Sequence, residues 1–328
     1  MHEKTAFITG ITGQDGSYLT ELLLEKNYTI HGLVTPLETP AASNIRHLVA
    51  DPAIHNKRLH LHPGAFDEPA QLRRIIAQAR PDELYHLAGQ SSPRASFDLP
   101  EVTMNSIGIA TLRLLEILRD LAHPTRFFNA SSSEVYGTPA TPTQDEQTPI
   151  SPATPYGAAK AYSQQITRIY RDAHKLPACS AILYNHESPR RTESFVTMKI
   201  ARAAARIKKG LQTELHLGDL DSKRDWGWAP DYVRGMWLML QRPPAQMDDY
   251  ILATGRLHTV RDLVTAAFET LDLDWRAHVH TDPALQATDE PIAPCGNPAK
   301  AARELSWQNT IPAPEMITRL VRSEYDKL

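Results

Sequence analysis

Four side chains fall at spacings that suit acid–base chemistry on a single hydroxyl-bearing carbon. Tyr156 and Lys160 stand four apart at the start of a helical stretch, so they share one helix face. An ammonium beside a phenol lowers the phenol pKa and makes it a usable base or acid near neutral pH. Upstream, Phe128-Asn129-Ala130 reads as the end of a strand and delivers Ser131-Ser132-Ser133-Glu134 beyond it. In an open α/β sheet the carboxyl edge of the strands is where ligands bind. A hydroxyl at Ser132, the Tyr156 phenol and the Lys160 ammonium can then surround one reacting hydroxyl. Tyr-x-x-x-Lys by itself is a common surface pair on amphipathic helices, and the serine run in front of it is what gives it weight. Glu134 discriminates among reactions. A carboxylate has no role in simple alcohol oxidation, but it has one if a proton must leave the carbon beside a new ketone and then return to a neighbouring carbon. Taken alone, Glu134 reads equally well as a solvated strand-end carboxylate or a loop cap.

Oxidation needs a hydride acceptor, and the N-terminus offers a place for one. The strand Thr5–Thr9 runs into Gly10-Ile11-Thr12-Gly13-Gln14-Asp15-Gly16, and Ser17-Tyr18-Leu19 opens a helix. Glycines at this spacing let the backbone turn tightly and approach a pyrophosphate, whose charge sits at the helix N-terminus. A glycine pattern alone is weak evidence, but here it follows a strand and precedes a helix, the context the motif requires. Gly10, Thr12, Gly13, Gln14, Asp15 and Gly16 are the expected cofactor loop, with Leu87 and Ala88 at the end of a later strand. The second strand ends at Thr35 and Pro36, where an acid would grip an adenosine ribose and an arginine a 2′-phosphate. Neither is there. Glu38 and Arg46 lie further along the loop, and NAD versus NADP stays open at this level.

The elements that must position these groups alternate through the first half of the chain. Candidate strands are Thr5–Thr9, Thr29–Val34, Arg58–His62, Glu83–Leu87, Arg126–Ala130 and Ala178–Tyr184, separated by helical stretches Ser17–Lys26, Glu68–Ala79, Val102–Leu121 and Pro155–His174. Short apolar runs alternating with helical periodicity predict an α/β fold with a doubly wound parallel (Rossmann) sheet. After Asn185 prolines cluster and helices are more isolated: Val196–Gly210 precedes a short strand Glu214–Leu217, and Asp248–Ala253 reads as a further strand. The expected division is a dinucleotide-binding domain over 1–185, with 226–262 returning to it. A smaller, discontinuous C-terminal substrate domain would take 186–225 and 263–328.

Composition narrows the classes. With 328 residues and 41% hydrophobic content the chain can bury two lobes. A net charge of −3 argues against a nucleic-acid surface. Mean hydropathy of −0.39 and the absence of a long apolar run argue against a membrane span or a signal peptide, so a cytoplasmic protein is expected. Two cysteines, Cys179 and Cys295, make neither a disulfide framework nor a zinc site, and no metal is expected.

At these residues the chain resembles the GDP-mannose 4,6-dehydratase family of the extended short-chain dehydrogenase/reductase superfamily, over most of its length. The segments that carry the likeness are ITGITGQDGSYLTELLLEK, ASSSEVYG, SPATPYGAAK, LYNHESPRR, FVTMKI, LGDLDSKRDWGWAPDYVRGMWLMLQ, DDYILATG and GNPAKA. The resemblance implies oxidation at C4 of a GDP-hexose, loss of water across C5 and C6, and return of the hydride to C6, with a tightly bound NAD(P) recycled in each turnover. It implies Ser132 in place of a threonine, Glu134 as acid/base for C5 and C6, Tyr156 as base for the 4-hydroxyl and Lys160 as its electrostatic partner. It also implies a nucleotide-sugar site holding Asn185, Glu187, Ser188, Lys199 and Arg224, the cations serving the diphosphate.

The departures are specific. The family usually has arginines where Thr35-Pro36 stand, and another near Asn44, for the 2′-phosphate of NADP and a tetramer contact. NADP is therefore the family habit, and NAD is what the missing arginines favour. Gly64-Ala65-Phe66 replaces Gly-Asp-Leu, and Gln286-Ala287-Thr288-Asp289 replaces an arginine–proline–acidic segment. A homodimer or homotetramer is expected. Two other readings keep the same fold: a GDP-sugar C4 dehydrogenase, reductase or epimerase, against which Glu134 argues, and a non-catalytic NAD(P)-binding regulator, against which Tyr156 and Lys160 argue.

Overall fold

The computed structural model describes residues 3–35, 38–121, 123–285 and 293–328. Among these, seven parallel strands form one sheet: β1 (Thr5–Thr9), β2 (Thr29–Val34), β3 (Leu59–Pro63), β4 (Glu83–His86), β5 (Arg126–Ser132), β6 (Ala178–Leu183) and β7 (Tyr250–Leu252). Their spatial order is β7-β6-β5-β4-β1-β2-β3, every pairing parallel. The order reverses between β1 and β4, which opens a crevice at the carboxyl ends of those strands.

Alternation along the strands builds a layer on each face. Ala6 and Ile8, with Tyr85, Phe128 and Cys179, face helices α1 (Gln14–Glu25) and α6 (Ala229–Gln241). Phe7, Leu33, Leu84, Phe127 and Ala178 point the other way, onto α2 (Pro69–Ala79), α3 (Ala110–Asp120) and α4 (Pro155–His174). A separate core joins α5 (Val196–Lys208), α7 (Val260–Glu269) and α8 (Ala313–Asp326) with Leu215, Leu217 and Val279. Ala301, Leu305 and Trp307, expected within the C-terminal lobe, pack on the first core beneath α6.

Several boundaries differ from the sequence reading by one to three residues, and three of them have a clear local reason. Helix α1 starts at Gln14 and not at Ser17, because extended Gly13 is its cap and the third glycine of the motif is already helical. β5 runs on through Ser132, since Ser131 and Ser132 pair with Ile182 and Leu183 although serine is a weak strand former. The helical stretch expected over Val102–Leu121 begins at Pro100 and passes through a π-helical turn, Asn105–Ile109, before α3.

Asp225 shows what one residue of the KRDWG segment does. It is fully buried, and its carboxylate accepts from the Thr254 hydroxyl at 2.6 Å and from the amides of Thr254, Gly255 and Gly296 at 2.9, 3.0 and 3.3 Å. An all-acceptor group thereby ties three distant chain segments. Asp225→Asn, which turns an NH₂ toward these donors, is expected to cost about 2 kcal/mol of stability, read as a lower denaturation midpoint in urea.

Candidate active site

The carboxyl ends of β5 and β6 lie side by side, with Ser132 opposite Leu183. Beyond Ser132 the chain turns through a short 3₁₀ helix, Ser133–Tyr136, and the Ser132 hydroxyl caps it by accepting from the Glu134 amide at 3.3 Å. Helix α4 enters the same place. Thr154 caps it, accepting from the Gly157 amide at 2.9 Å, and the Tyr156 amide donates to the Ser96 hydroxyl at 3.1 Å. Gly157 allows the approach: a Cβ there would stand 2.5 Å from the Glu134 carbonyl oxygen. One turn further in, the Lys160 ammonium donates to the Ala130 carbonyl at 2.6 Å and lies 5.6 Å from the Tyr156 ring centroid. Ile107, from the π-helical turn, packs against Tyr156 and Ala159.

Ser132, Glu134, Tyr156 and Lys160 thus line one cleft of about 150 Å³, together with Asn185 and His186. Tyr156 and Lys160 are buried in its wall, and burial sets their ionisation. Burial pushes the Tyr156 phenol up to about 12, with the Glu134 and Asp15 charges adding to the rise and the Ser132 hydroxyl and Arg191 opposing it. Burial pulls Lys160 down to about 8. The Lys160 ammonium gives one donor to the Ala130 carbonyl, keeps two more, and is itself desolvated.

A second groove of about 510 Å³ adjoins the cleft, sharing Asp15, Leu87, Gly89, Ser91 and Arg191 with it. Gly10, Thr12, Gly13, Gln14, Asp15, Gly16, Leu87 and Ala88 all line it. Its floor fits a dinucleotide. A Cβ at Gly16 would meet the Gly10 carbonyl oxygen at 2.2 Å, and one at Gly10 (φ 73°) would meet the Ala88 nitrogen at 2.8 Å. Only bare backbone passes there, and α1 begins at the same point with first-turn amides available to an anion.

The Asn185–Glu187 strand contributes unevenly. Asn185 reaches the cleft. Glu187 and Ser188 lie behind its wall: Glu187 accepts from Thr197 at 2.8 Å and pairs with Arg191 at 3.2 Å, and Ser188 donates to Gln14 at 2.8 Å. Lys199 is exposed on α5, and Arg224 donates to the Lys223 carbonyl at 2.7 Å in a short strand opposite His258. Neither lines the cleft.

Two side chains that the sequence reading did not name as site residues sit inside. His186 lies between the Asp15 carboxylate at 2.9 Å and the Tyr184 carbonyl at 2.7 Å. A carbonyl and a carboxylate are both acceptors, so the arrangement favours a ring that donates from both nitrogens, the imidazolium. Burial works against that charge, but Asp15 overrides it and raises the His186 pKa. Arg191 borders both cavities, whereas Arg190 pins α1 through Ser17 and Glu21. Only their place in the NHESPRR block could have flagged them.

A family model described as GDP-mannose 4,6 dehydratase matches residues 7–320. GDP-mannose 4,6 dehydratase 1 of Arabidopsis thaliana is 42% identical, covering 98% of this chain and 90% of its own. Among solved structures, dTDP-glucose 4,6-dehydratase from Streptomyces venezuelae, with NAD bound, superposes with a TM-score of 0.83 at 23% identity, covering 98% of this chain and 97% of that one. RMD from Pseudomonas aeruginosa, complexed with NADPH, does so with 0.80 at 22%, covering 99% and 100%. At those identities the two structures speak for the fold.

Proposed function

The chain belongs to the GDP-mannose 4,6-dehydratase family, and from that premise we infer that it dehydrates GDP-mannose or a close GDP-sugar to the 4-keto-6-deoxy product. The observation that carries this reading is that Glu134 and Tyr156 open onto one cleft, close enough for the carboxylate to raise the phenol pKa. A bound nicotinamide would accept hydride from C4, return it to C6, and while oxidised supply the positive charge that makes the buried phenol acidic. Tyr156, with the Ser132 hydroxyl, takes the proton from O4, and Lys160 holds the charge balance. Glu134 takes the proton from C5 and gives it to the departing 6-hydroxyl, which leaves as water. The proton on Tyr156 is then the one left to return to C5, so the phenol and carboxylate both end as they began.

The cleft is well below the roughly 300–1,000 Å³ of sites that enclose a whole drug-sized ligand. It suits the hexose alone, so the nucleotide lies outside. Asn185 is assigned to the sugar, Lys199 and Arg224 to the diphosphate and nucleotide beyond it, and Glu187 and Ser188 to holding the wall. The proposed nucleotide-sugar lobe is 186–225 with 263–328, less the Ala299–Trp307 stretch that packs on the sheet core.

NAD is proposed over NADP. Leu33, Thr35, Glu38, Gly64 and Phe66 line the groove beyond the glycine loop, and they include no cation for a 2′-phosphate. Pro36, at the position of a family arginine, and Gln286–Asp289 lie outside the described residues. A homodimer or tetramer is proposed through the exposed apolar side chains of Phe97, Leu99, Val102 and Ile169, beside α4. No helix among the described residues is long and apolar enough to cross a membrane, and the two cysteines are unpaired, which suits the proposed cytoplasmic location.

Incubation with GDP-, UDP-, CDP- and dTDP-sugars should give a mass loss of one water from a GDP-sugar only, read by mass spectrometry. A product of unchanged mass, or one two hydrogens lighter, would instead indicate an epimerase or a dehydrogenase.

A further inference from the structure

The groove beside the glycine loop is lined, away from the residues it shares with the catalytic cleft, by a carboxylate that the loop sequence left unplaced. Glu38 folds back: one of its oxygens accepts the hydroxyl of Thr12, in the glycine loop, and the other accepts the Thr35 amide at 2.5 Å, at the end of β2. Its own amide donates to the Thr35 carbonyl at 3.0 Å, closing a turn. Both oxygens are thus anchored to the two elements that frame the groove, and each keeps a lone pair. The carboxylate lines the groove together with Thr35 and Gly64. Asn44 supports the same corner, donating to the Thr12 carbonyl at 3.2 Å. The nearby cation in sequence, Arg46, is exposed and does not line the groove. Arg191, which does line it, belongs to the opposite end, where groove and cleft meet.

We propose that Glu38 is the residue that selects the dinucleotide: its anchored carboxylate accepts the adenosine ribose hydroxyls of NAD and repels the 2′-phosphate of NADP. An acceptor pair at the end of the second strand matches a vicinal diol, and a fixed negative charge in a part-buried groove opposes a phosphate. The inference rests on the reading of the groove as a nicotinamide dinucleotide site, and it assigns the selection to one side chain 22 residues beyond Gly16, the last glycine of the loop.

The test is equilibrium binding, independent of turnover. Purified protein is titrated with NADH and with NADPH, following the fluorescence of the reduced nicotinamide, for wild type, Glu38→Gln and Thr12→Val. Wild type should bind NADH at least tenfold more tightly than NADPH. Glu38→Gln should weaken NADH by about tenfold, the loss of a charge-assisted hydrogen bond, and should tighten NADPH. Thr12→Val, which frees the carboxylate without removing its charge, should weaken NADH while NADPH stays excluded. A thermal melt of each variant reports folding independently. Equal affinities in wild type, or an unchanged NADH-to-NADPH ratio in folded Glu38→Gln, overturn the inference and leave the dinucleotide site standing. Failure of both nucleotides to bind folded wild type overturns the dinucleotide reading itself, and the inference with it.

Discussion

Glu134→Gln is expected to slow release of water from the GDP-sugar by about 10³–10⁴-fold, the upper range for a lost general acid–base group, while the cofactor is still reduced. Glutamine keeps the length and hydrogen-bonding reach of the side chain but cannot take the C5 proton near neutral pH. The first half-reaction needs only the O4 proton and the C4 hydride, and the groups for those are untouched. The variant also removes a negative charge that raises the Tyr156 phenol pKa, so the first step should be eased if anything. Mixing the variant with GDP-sugar should therefore give the absorbance of reduced nicotinamide in a single turnover, with no dehydrated product by mass spectrometry. Full turnover would remove Glu134 from the chemistry and return it to being a strand-end carboxylate.

Tyr156→Phe is expected to remove both halves together, also by about 10³–10⁴-fold, with no reduced nicotinamide in the same single-turnover mix. Phenylalanine fills the same buried space against Ile107 and Ala159, and the Tyr156 amide keeps its bond to Ser96, so the fold and the cofactor groove should be preserved. What disappears is the one group placed to take the O4 proton. Lys160 does not replace it: an ammonium has three donors and no lone pair to take a proton. The pair of variants is informative because the two differ in one observable, cofactor reduction. If Tyr156→Phe still reduced the nicotinamide, the base for the 4-hydroxyl would lie elsewhere in the cleft.

Much of this candidate site is legible in the sequence. The strand–glycine–helix order, the Tyr156–Lys160 spacing and the serine run ahead of Glu134 are local patterns, and the structure brings all of them to the carboxyl edge of the sheet. Local patterns are legible because they depend on backbone geometry within a few residues: a Cβ excluded at Gly16, a helix face repeated every fourth residue, apolar alternation along β1. Element ends were less legible where a residue's propensity conflicted with its neighbours. Serines continued a strand because partners on β6 were there to pair with them.

The charges were not legible at all. Whether Lys160 lowers the phenol, whether His186 carries a proton and whether Glu38 meets the glycine loop depend on burial and on partners that are distant in sequence. Asp15 and His186 come together only because a strand after β6 passes the N-terminus of α1. The residue types and their spacing by themselves determined the sheet and picked out the candidate cofactor loop and the candidate catalytic set. The tertiary structure alone decided how those groups are ionised and which acids and bases face each other, because desolvation and Coulomb energy are set by the surroundings in space and not by order along the chain.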